Sequence, residues 1–129
     1  MRNVHILRVG IASYDDIWNR TMAIARGEHK PTASEPKIWF NSLESLAQVL
    51  STPNKLLLEL IAQTKPQSMT ELSELSGRHK SNLSRTLRTM ERYGLVRLKR
   101  KKTGEIMPQV TFEHLRVDVT LSTEPPLRH

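Results

Sequence analysis

Serine, asparagine and arginine side chains recur at helical spacing in the second half of the chain. A helix is predicted between His79 and Gly94, and one side of it carries Ser81, Ser84, Arg85, Arg88 and Arg92. Arginine can donate two hydrogen bonds to a guanine edge, and short hydroxyl side chains allow close approach to a nucleic-acid backbone. This side of the helix is therefore suited to contacts with base edges and phosphates.

Positive charge is concentrated around this helix. Residues 78–102 contain ten Lys or Arg and one acidic residue, Glu91, whereas the rest of the 129 residues hold ten basic and twelve acidic ones. The net charge of +7 is thus a local feature, as is typical of a nucleic-acid-binding surface. A basic helix face can also be merely solvated, but the elements on either side of this one favour binding.

Those elements form a helix-turn-helix followed by a hairpin. The opposite side of the basic helix presents Leu83, Leu87 and Met90 for packing. A shorter helix precedes it, begins at Ser68 or Thr70, ends at Gly77 and is expected to bury Leu72, Leu75 and Met69. His79 lies at the start of the basic helix, where it is either a phosphate or base contact or a poor helix cap.

A two-stranded hairpin with a charged tip follows Gly94. Leu95, Val96 and Leu98 lead into four consecutive basic residues, and Thr103-Gly104 supplies a turn. Ile106, Val110 and Phe112 form the returning strand, in which Pro108 indicates an edge. The tip is suited to lying along phosphates, and it could equally serve as a solubilising strand edge.

Two further helices are predicted upstream of the helix-turn-helix. A short extended run, Lys37 to Phe40, leads to a capping box formed by Asn41 and Glu44. The next helix starts at Thr52-Pro53 and ends before Pro66. The apolar residues expected to face the core of these two helices are Leu43, Leu46, Ala47, Leu50, Leu56, Leu57, Leu60 and Ile61.

The N-terminal segment reads as a strand followed by a helix. Apolar residues alternate from Val4 to Ile11, Ser13 offers an N-cap and Gly27 a terminator. We expect packing along one stripe of the helix, made of Tyr14, Ile17, Trp18, Thr21, Met22 and Ala25. A Pro-containing linker follows, and near the other end of the chain Val117, Val119 and Leu121 predict one more strand.

The predicted fold is therefore mainly α with a small β wing, of the α+β class. Residues 1–36 form an N-terminal strand-helix extension for dimerisation or partner binding, residues 37–121 a winged helix-turn-helix domain and residues 122–129 a C-terminal tail. We expect a cytoplasmic protein without a signal peptide, because the N-terminus lacks an uninterrupted apolar core and no apolar run approaches the ~20 residues of a membrane span.

Catalysis, metal binding and cofactor binding find no support in the sequence. There is no Cys, the five His are scattered without the spacing of a metal-binding helix, and no Gly-rich phosphate loop is present. RNA recognition is disfavoured because Phe and Trp, whose rings would stack bases, lie outside the basic segment. We therefore expect a protein that is not an enzyme, with no catalytic residue, metal ligand or cofactor.

A family resemblance accompanies these patterns. The span from about Thr52 to Val110 resembles the winged helix-turn-helix domains of the MarR/ArsR-type prokaryotic regulators, through LSELSGRHKSNLSRTLRTMERYGLV. The resemblance implies that Ser81, Asn82, Ser84, Arg85 and Arg88 contact the groove and that the wing is formed by 97–102. The chain departs from the pattern at Arg78, where such domains place an apolar residue, and it lacks the thiolates of metal-sensing members.

The whole chain, including GIASYDDIWNRTMAIARGEHKP and EPKIWFNSLESLAQVLS, is similar to a group of small bacterial and archaeal proteins classed as DNA-binding. Members of that group are often encoded beside a toxin-like partner, which implies an autoregulating antitoxin with a cognate toxin. The residues expected to contact DNA are His79, Lys80, Ser81, Asn82, Ser84, Arg85, Arg88, Arg92, Lys99, Arg100, Lys101 and Lys102.

The expected function is sequence-specific binding of double-stranded DNA by a homodimer that regulates transcription, as a repressor. A homodimer is expected because one recognition helix seldom buries enough surface for tight operator binding. The alternative is a winged-helix module that binds another protein without reading DNA sequence.

Overall fold

The computed structural model describes residues 5–121, which form two compact units of a small mixed α/β protein. The described residues of the first unit are 5–46 and 112–121, and the second unit is 47–111. The elements are β1 (Ile6–Ile11), α1 (Tyr14–Ala25), β2 (Ile38–Phe40), α2 (Leu43–Val49), α3 (Thr52–Thr64), α4 (Met69–Ser76), α5 (Lys80–Arg92), β3 (Arg97–Arg100), β4 (Ile106–Gln109) and β5 (His114–Val119). Val4 of the predicted first strand and the predicted tail at 122–129 lie outside the described residues.

The first unit is built on a three-stranded parallel sheet in the order β2-β1-β5. The strands β2 and β5 were predicted to belong to the domain at 37–121, but both pair with β1. Alternating apolar residues predict that a segment is a β-strand, but they do not predict which other strand it pairs with. Parallel neighbours are joined by long connections, so no hairpin turn in the sequence indicates the pairing.

One face of this sheet is apolar throughout. Residues paired in register share a face, and successive residues alternate between faces. The apolar face of the sheet is formed by Leu7, Val9, Ile11, Ile38, Phe40, Leu115, Val117 and Val119. Its burial decreases across the sheet, because Val9 on the central strand is fully buried whereas its neighbour Val117 on β5 is 42% exposed.

On the opposite face a tryptophan lies against a glycine. Trp39 is the neighbour of Gly10 in the register, and the six-membered ring of the indole occupies the space that a Cβ at Gly10 would need. The Arg20 guanidinium lies over the same indole, with Cζ 5.1 Å from its centroid. Arg20 Nη2 donates to Glu35 Oε2 at 2.6 Å, and His29 Nε2 lies 2.9 Å from that oxygen. We call these five residues the tryptophan stack.

The tryptophan stack explains why the predicted apolar stripe of α1 is only partly correct. Ser13 caps the helix through the Asp16 N–H, as predicted. However, Tyr14 and Trp18 are 74% and 64% exposed and do not contribute to the core of the chain. Arg20 takes a half-buried position on α1 because its guanidinium covers Trp39, and a pattern based on apolar residues cannot mark such a position.

The core of the second unit is formed by α3, α4, α5 and the two strands that follow. The buried apolar side chains here are Leu57, Leu58, Ile61, Leu72, Leu83, Leu87, Met90, Leu95 and Val96. Leu56 and Leu75, which were predicted to face the core, are exposed, and Leu58 is buried in their place. The leucines at 56–58 are distributed around most of one helical turn, so the sequence alone does not show which of them face the core. Leu75 lies in the last turn of a short helix.

Serine side chains cap the helices around this core, and two of the caps lie a single residue away from their predicted positions. The N–H of Ser45 donates to Ser42 Oγ at 3.0 Å, so Ser42 and not Asn41 caps α2. Ser51 and not Thr52 is the N-cap of α3, whereas Ser68 caps α4 as one of the two predicted candidates. Asn, Ser and Thr all accept this hydrogen bond, which is why their order in the sequence leaves the cap ambiguous. Of the predicted apolar face of α2 only Leu46 is buried, and Leu43 and Ala47 are exposed.

We predict that Gly10→Ala lowers the free energy of unfolding by about 1–3 kcal/mol, because overfilling a packed site forces neighbours to move. The new Cβ would lie 2.4 Å from Trp39 Cζ3. Urea unfolding measures this cost. In a Trp39→Leu background the same substitution should cost far less, and an equal cost in both backgrounds would show that the indole contact is not its cause.

Protonation of Glu35 should weaken the tryptophan stack. The hydrogen bonds from His29 and then Arg20 hold the pKa of the Glu35 carboxyl below its ordinary value of 4.5. A carboxyl with a lowered pKa stabilises the folded state above its unfolded pKa, and this contribution is lost as the pH falls through the folded pKa. Glu35→Gln should therefore be less stable than wild type at neutral pH, with a deficit that shrinks in acid. Urea midpoints from about pH 7 to pH 2 measure this, and a deficit independent of pH contradicts it.

Candidate nucleic-acid interface

The turn between α4 and α5 is held by its own side chains. Gly77 ends α4 in the left-handed region with φ of 72°, and His79 is the N-cap residue of α5. The Ser73 hydroxyl donates to the Arg78 carbonyl at 2.6 Å, and the Arg78 N–H donates to Ser76 Oγ at 3.2 Å. These bonds fix the direction in which α5 leaves the turn.

The α5 helix separates a buried side from a polar side, as the sequence predicted. Leu83, Leu87 and Met90 have no exposed surface. On the other side Ser84 is half-buried and the remaining predicted contact residues are exposed: Lys80, Ser81, Asn82, Arg85, Arg88 and Arg92. We call these seven residues the basic face of α5. Burial of the leucines and methionine determines which side chains point outward.

Some members of the basic face are already bonded within the chain. Asn82 Oδ1 accepts a hydrogen bond from Arg78 Nε at 3.0 Å, and Lys80 Nζ donates to Thr70 Oγ1 at 2.9 Å. These bonds leave the Asn82 amide N–H groups and two of the three Lys80 donors for an outside partner.

Arg85 and Arg88 differ from these residues. Their guanidinium groups make no hydrogen bond or ion pair with any residue in 5–121. Among the described residues, each guanidinium therefore has all five of its donors available, and no carboxylate neutralises it. This arrangement leaves both side chains ready to bind an anionic or acceptor-rich partner.

The His79 side chain is exposed and does not cap the helix. It occupies the N-cap position of α5, but no hydrogen bond joins its ring to the backbone of the first turn. Of the two interpretations drawn from the sequence, the poor helix cap fits this geometry. Contact with a partner stays a prediction.

The antiparallel hairpin β3–β4 carries the second group of predicted contact residues. Leu98 pairs with Pro108 and Arg100 with Ile106. The turn closes through the Lys101 N–H, which donates to the Glu105 carbonyl at 2.8 Å. Three of the four basic residues are exposed, and their side chains form no ion pair or hydrogen bond with the described residues: Lys99, Arg100 and Lys102.

Lys101 is the exception among these four. Its Nζ donates to the Gln67 carbonyl at 3.1 Å and lies 3.9 Å from Glu105 Oε1. The side chain is 30% exposed, less than is usual for a lysine at a loop tip. Lys101 thus links the end of the hairpin to the connection between α3 and α4, and it orients the three basic residues around it.

The hairpin is also tied to the end of α5. Gly94 turns the chain with φ of 75°, and the Leu95 N–H donates to the Met90 carbonyl at 2.9 Å. Glu91 Oε2 accepts the Leu98 N–H at 3.3 Å. The acidic residue of the basic segment therefore attaches β3 to α5 and forms no salt bridge with its basic neighbours.

Thr70 and Gln67 are the contributors that the sequence did not indicate. They position Lys80 and Lys101 across 10 and 34 residues of chain. A hydrogen bond to a hydroxyl or a backbone carbonyl at such a separation leaves no pattern of spacing in the sequence. Only the fold reveals it.

Other kinds of site find little support in the described residues of the chain. Within 5–121, no three His, Asp or Glu side chains are placed to hold a metal ion. A cavity of about 560 Å³ lies beside the C-terminal half of α5, and Arg85, Thr89 and Asn54 are among its lining residues. It adjoins the basic face of α5 and contains no titratable pair suited to acid–base chemistry. No helix in 5–121 is both long and apolar enough to cross a membrane.

A comparison with protein families gives a match. The model of the HVO_A0114 family matches residues 49–117, more than half of the chain. The chain belongs to the HVO_A0114 family. The matched region contains α3, α4, α5, β3 and β4 in full and enters β5. No curated protein and no solved structure matches the chain.

Proposed function

We propose that this protein is a winged helix-turn-helix regulator that binds double-stranded DNA sequence-specifically as a homodimer and represses transcription. The order of α3, α4, turn, α5 and the β3–β4 hairpin supports the winged-helix assignment. The observation that carries the proposal is the pair Arg85 and Arg88, exposed on the side of α5 opposite the core and without partners among the described residues.

In this proposal α5 enters the major groove and reads base edges. Arg85 and Arg88 donate to guanine acceptors or flanking phosphates, and Ser81 and Ser84 allow the helix backbone to come close. Asn82 offers amide donors to an adenine or a phosphate. The hairpin then acts as the wing, and its basic residues neutralise phosphates without reading sequence.

The resemblance to antitoxin-type regulators adds a proposed second partner. A regulator of that kind binds its cognate toxin as well as the DNA of its own promoter. Tyr14 and Trp18 expose aromatic surface on α1, in the segment assigned to dimerisation or partner binding. Exposed aromatic pairs of this kind are enriched in protein interfaces, which supports partner binding by this segment.

Replacing Arg85 or Arg88 with Ala should each weaken specific binding by about 1–3 kcal/mol, because each substitution removes guanidinium contacts to bases or phosphates. Mobility shift with the DNA upstream of the protein's own gene, against a scrambled duplex, measures the loss. Arg26→Ala is the matched control, since it removes an exposed arginine outside the basic segment. A folded double variant that still binds the upstream DNA as tightly as wild type would contradict the proposal and favour a protein-binding module.

Removing hairpin charges should change the salt dependence of binding. Each phosphate contact contributes about 0.9 to the slope of log affinity against log salt concentration. Converting Lys99, Arg100 and Lys102 to Gln together should reduce that slope by roughly 2–3, for specific and non-specific DNA alike.

Lys101→Gln provides the internal comparison. The Lys101 ammonium donates to the Gln67 carbonyl. This variant should therefore lower the thermal midpoint of unfolding and leave the salt slope close to the wild-type value. If the triple variant keeps the wild-type slope, the tip of the hairpin does not contact DNA.

A further inference from the structure

The β5 strand leaves one edge of the parallel sheet open. It is six residues long and pairs only with β1, and its other edge forms no backbone ladder with any described strand. Prolines, charged side chains and bulges are the usual protections of an edge strand; β5 contains no proline, and its protection is the pair of charged residues Arg116 and Asp118. The opposite edge, β2, is only three residues long and follows Pro36. The open edge of β5 is therefore the one on which another strand can be added.

The apolar face of the sheet is incomplete at this edge. Val9 is fully buried, yet Val117 beside it is 42% exposed, and Val119 beside Ile11 is 40% exposed. Adding apolar side chains next to Val117 and Val119 would continue the row that begins on β1. An added strand must therefore carry apolar residues on this face.

The other face of β5 carries two charged residues that form no ion pair with any residue in 5–121. Arg116 is the neighbour of Arg8 in the register, so two like charges lie side by side. Asp118 is the neighbour of Gly10. None of the three charged residues forms an ion pair within 5–121. An added strand must therefore place an acid beside Arg116 and a base beside Asp118.

A second copy of β5 meets both requirements in a single arrangement. We propose that two copies of the chain pair through β5, antiparallel and with Val117 of each on the twofold axis. Arg116 of each copy then lies opposite Asp118 of the other copy, which gives two such pairs. Leu115 of each copy lies opposite Val119 of the other. The two sheets join into one of six strands, with both apolar faces on the same side.

Other pairings of the same two strands do not satisfy the charges. An in-register parallel pairing places Arg116 against Arg116. An antiparallel shift by one residue places charged side chains opposite apolar ones, and a shift by two residues removes Asp118 from Arg116. The β5 pairing specifies the interface of the proposed homodimer and rests on that element of the proposed function, not on DNA binding.

Exchanging the two charges tests the interface. Arg116→Asp sets carboxylate against carboxylate, and Asp118→Arg sets guanidinium against guanidinium, so each single variant should weaken dimerisation about tenfold or more. The double variant restores opposite charges and should recover wild-type association. An equimolar mixture of the two single variants should form a heterodimer, because each then supplies the charge that the other lacks.

Sedimentation equilibrium of the full-length protein at tens of micromolar measures the masses, and circular dichroism checks that each variant is folded. Lys65→Asp is the matched control: it changes the net charge as much as Arg116→Asp does, and Lys65 is exposed, outside the sheet and outside residues 1–36. It should dimerise like wild type.

The possible outcomes separate the two proposals. Weakened single variants with a recovered double variant and heterodimer support the β5 interface, whether or not the dimer binds DNA in a mobility shift. A wild-type monomer overturns the homodimer and its interface together. A wild-type dimer that the single substitutions leave intact overturns the β5 interface alone, and a folded double variant that remains monomeric overturns the proposed register.

Discussion

Burial of one side of α5 is the constraint on which the candidate interface depends. Leu83, Leu87 and Met90 lose all contact with solvent, and the helical period then obliges Arg85 and Arg88 to point away from the core. No other rotation of the helix keeps three large apolar side chains out of water. Their burial stabilises the unit by several kcal/mol, on the order of 1.5–3 kcal/mol for each side chain. The cost of exposing two unpaired guanidinium groups is small by comparison, because water solvates them.

Hydrogen bonds within the chain hold several charged side chains of the basic segment 78–102 in place, without any bound anion. Lys80, Lys101 and Glu91 hydrogen bond to Thr70, to the Gln67 carbonyl and to the Leu98 N–H. These bonds orient the ends of α5 and the hairpin, and thus reduce the number of side chains that must be ordered on binding. Charged residues in this segment therefore have two roles, positioning within the chain and contact outside it. Only the hydrogen bonds of the folded chain distinguish them.

Sequence reasoning predicted the second unit well, because its decisive signals are local. The period of α5, the glycines at 77 and 94 and the Thr103-Gly104 turn each act within a few residues, and the structure has the helices and the turn of the hairpin where these signals indicate. The returning strand is shorter than predicted, because β4 ends at Gln109, before Val110 and Phe112. The first unit was predicted less well, because its decisive contacts join distant segments. The pairing of β5 with β1 and the cover that Arg20 gives Trp39 depend on long connections. Arg20 also shows that a charged side chain can take an inner position when an aromatic ring offers its face.

In the proposed function each unit has its own role: the second unit supplies the DNA-contacting helix α5, and the first unit supplies the β5 edge that joins two copies. Recognition of a DNA half-site needs a small rigid unit with one exposed helix, and such a unit has too little surface to bind one operator tightly by itself. In the proposed dimer, a strand edge that pairs with its own copy would supply twofold symmetry and so present two recognition helices to the operator. Arg116 and Asp118 suit this role because they are complementary only when two copies of β5 run in opposite directions. In the proposed dimer the two charges of this short edge strand would specify orientation and register, while Val117 and Val119 would supply buried apolar area.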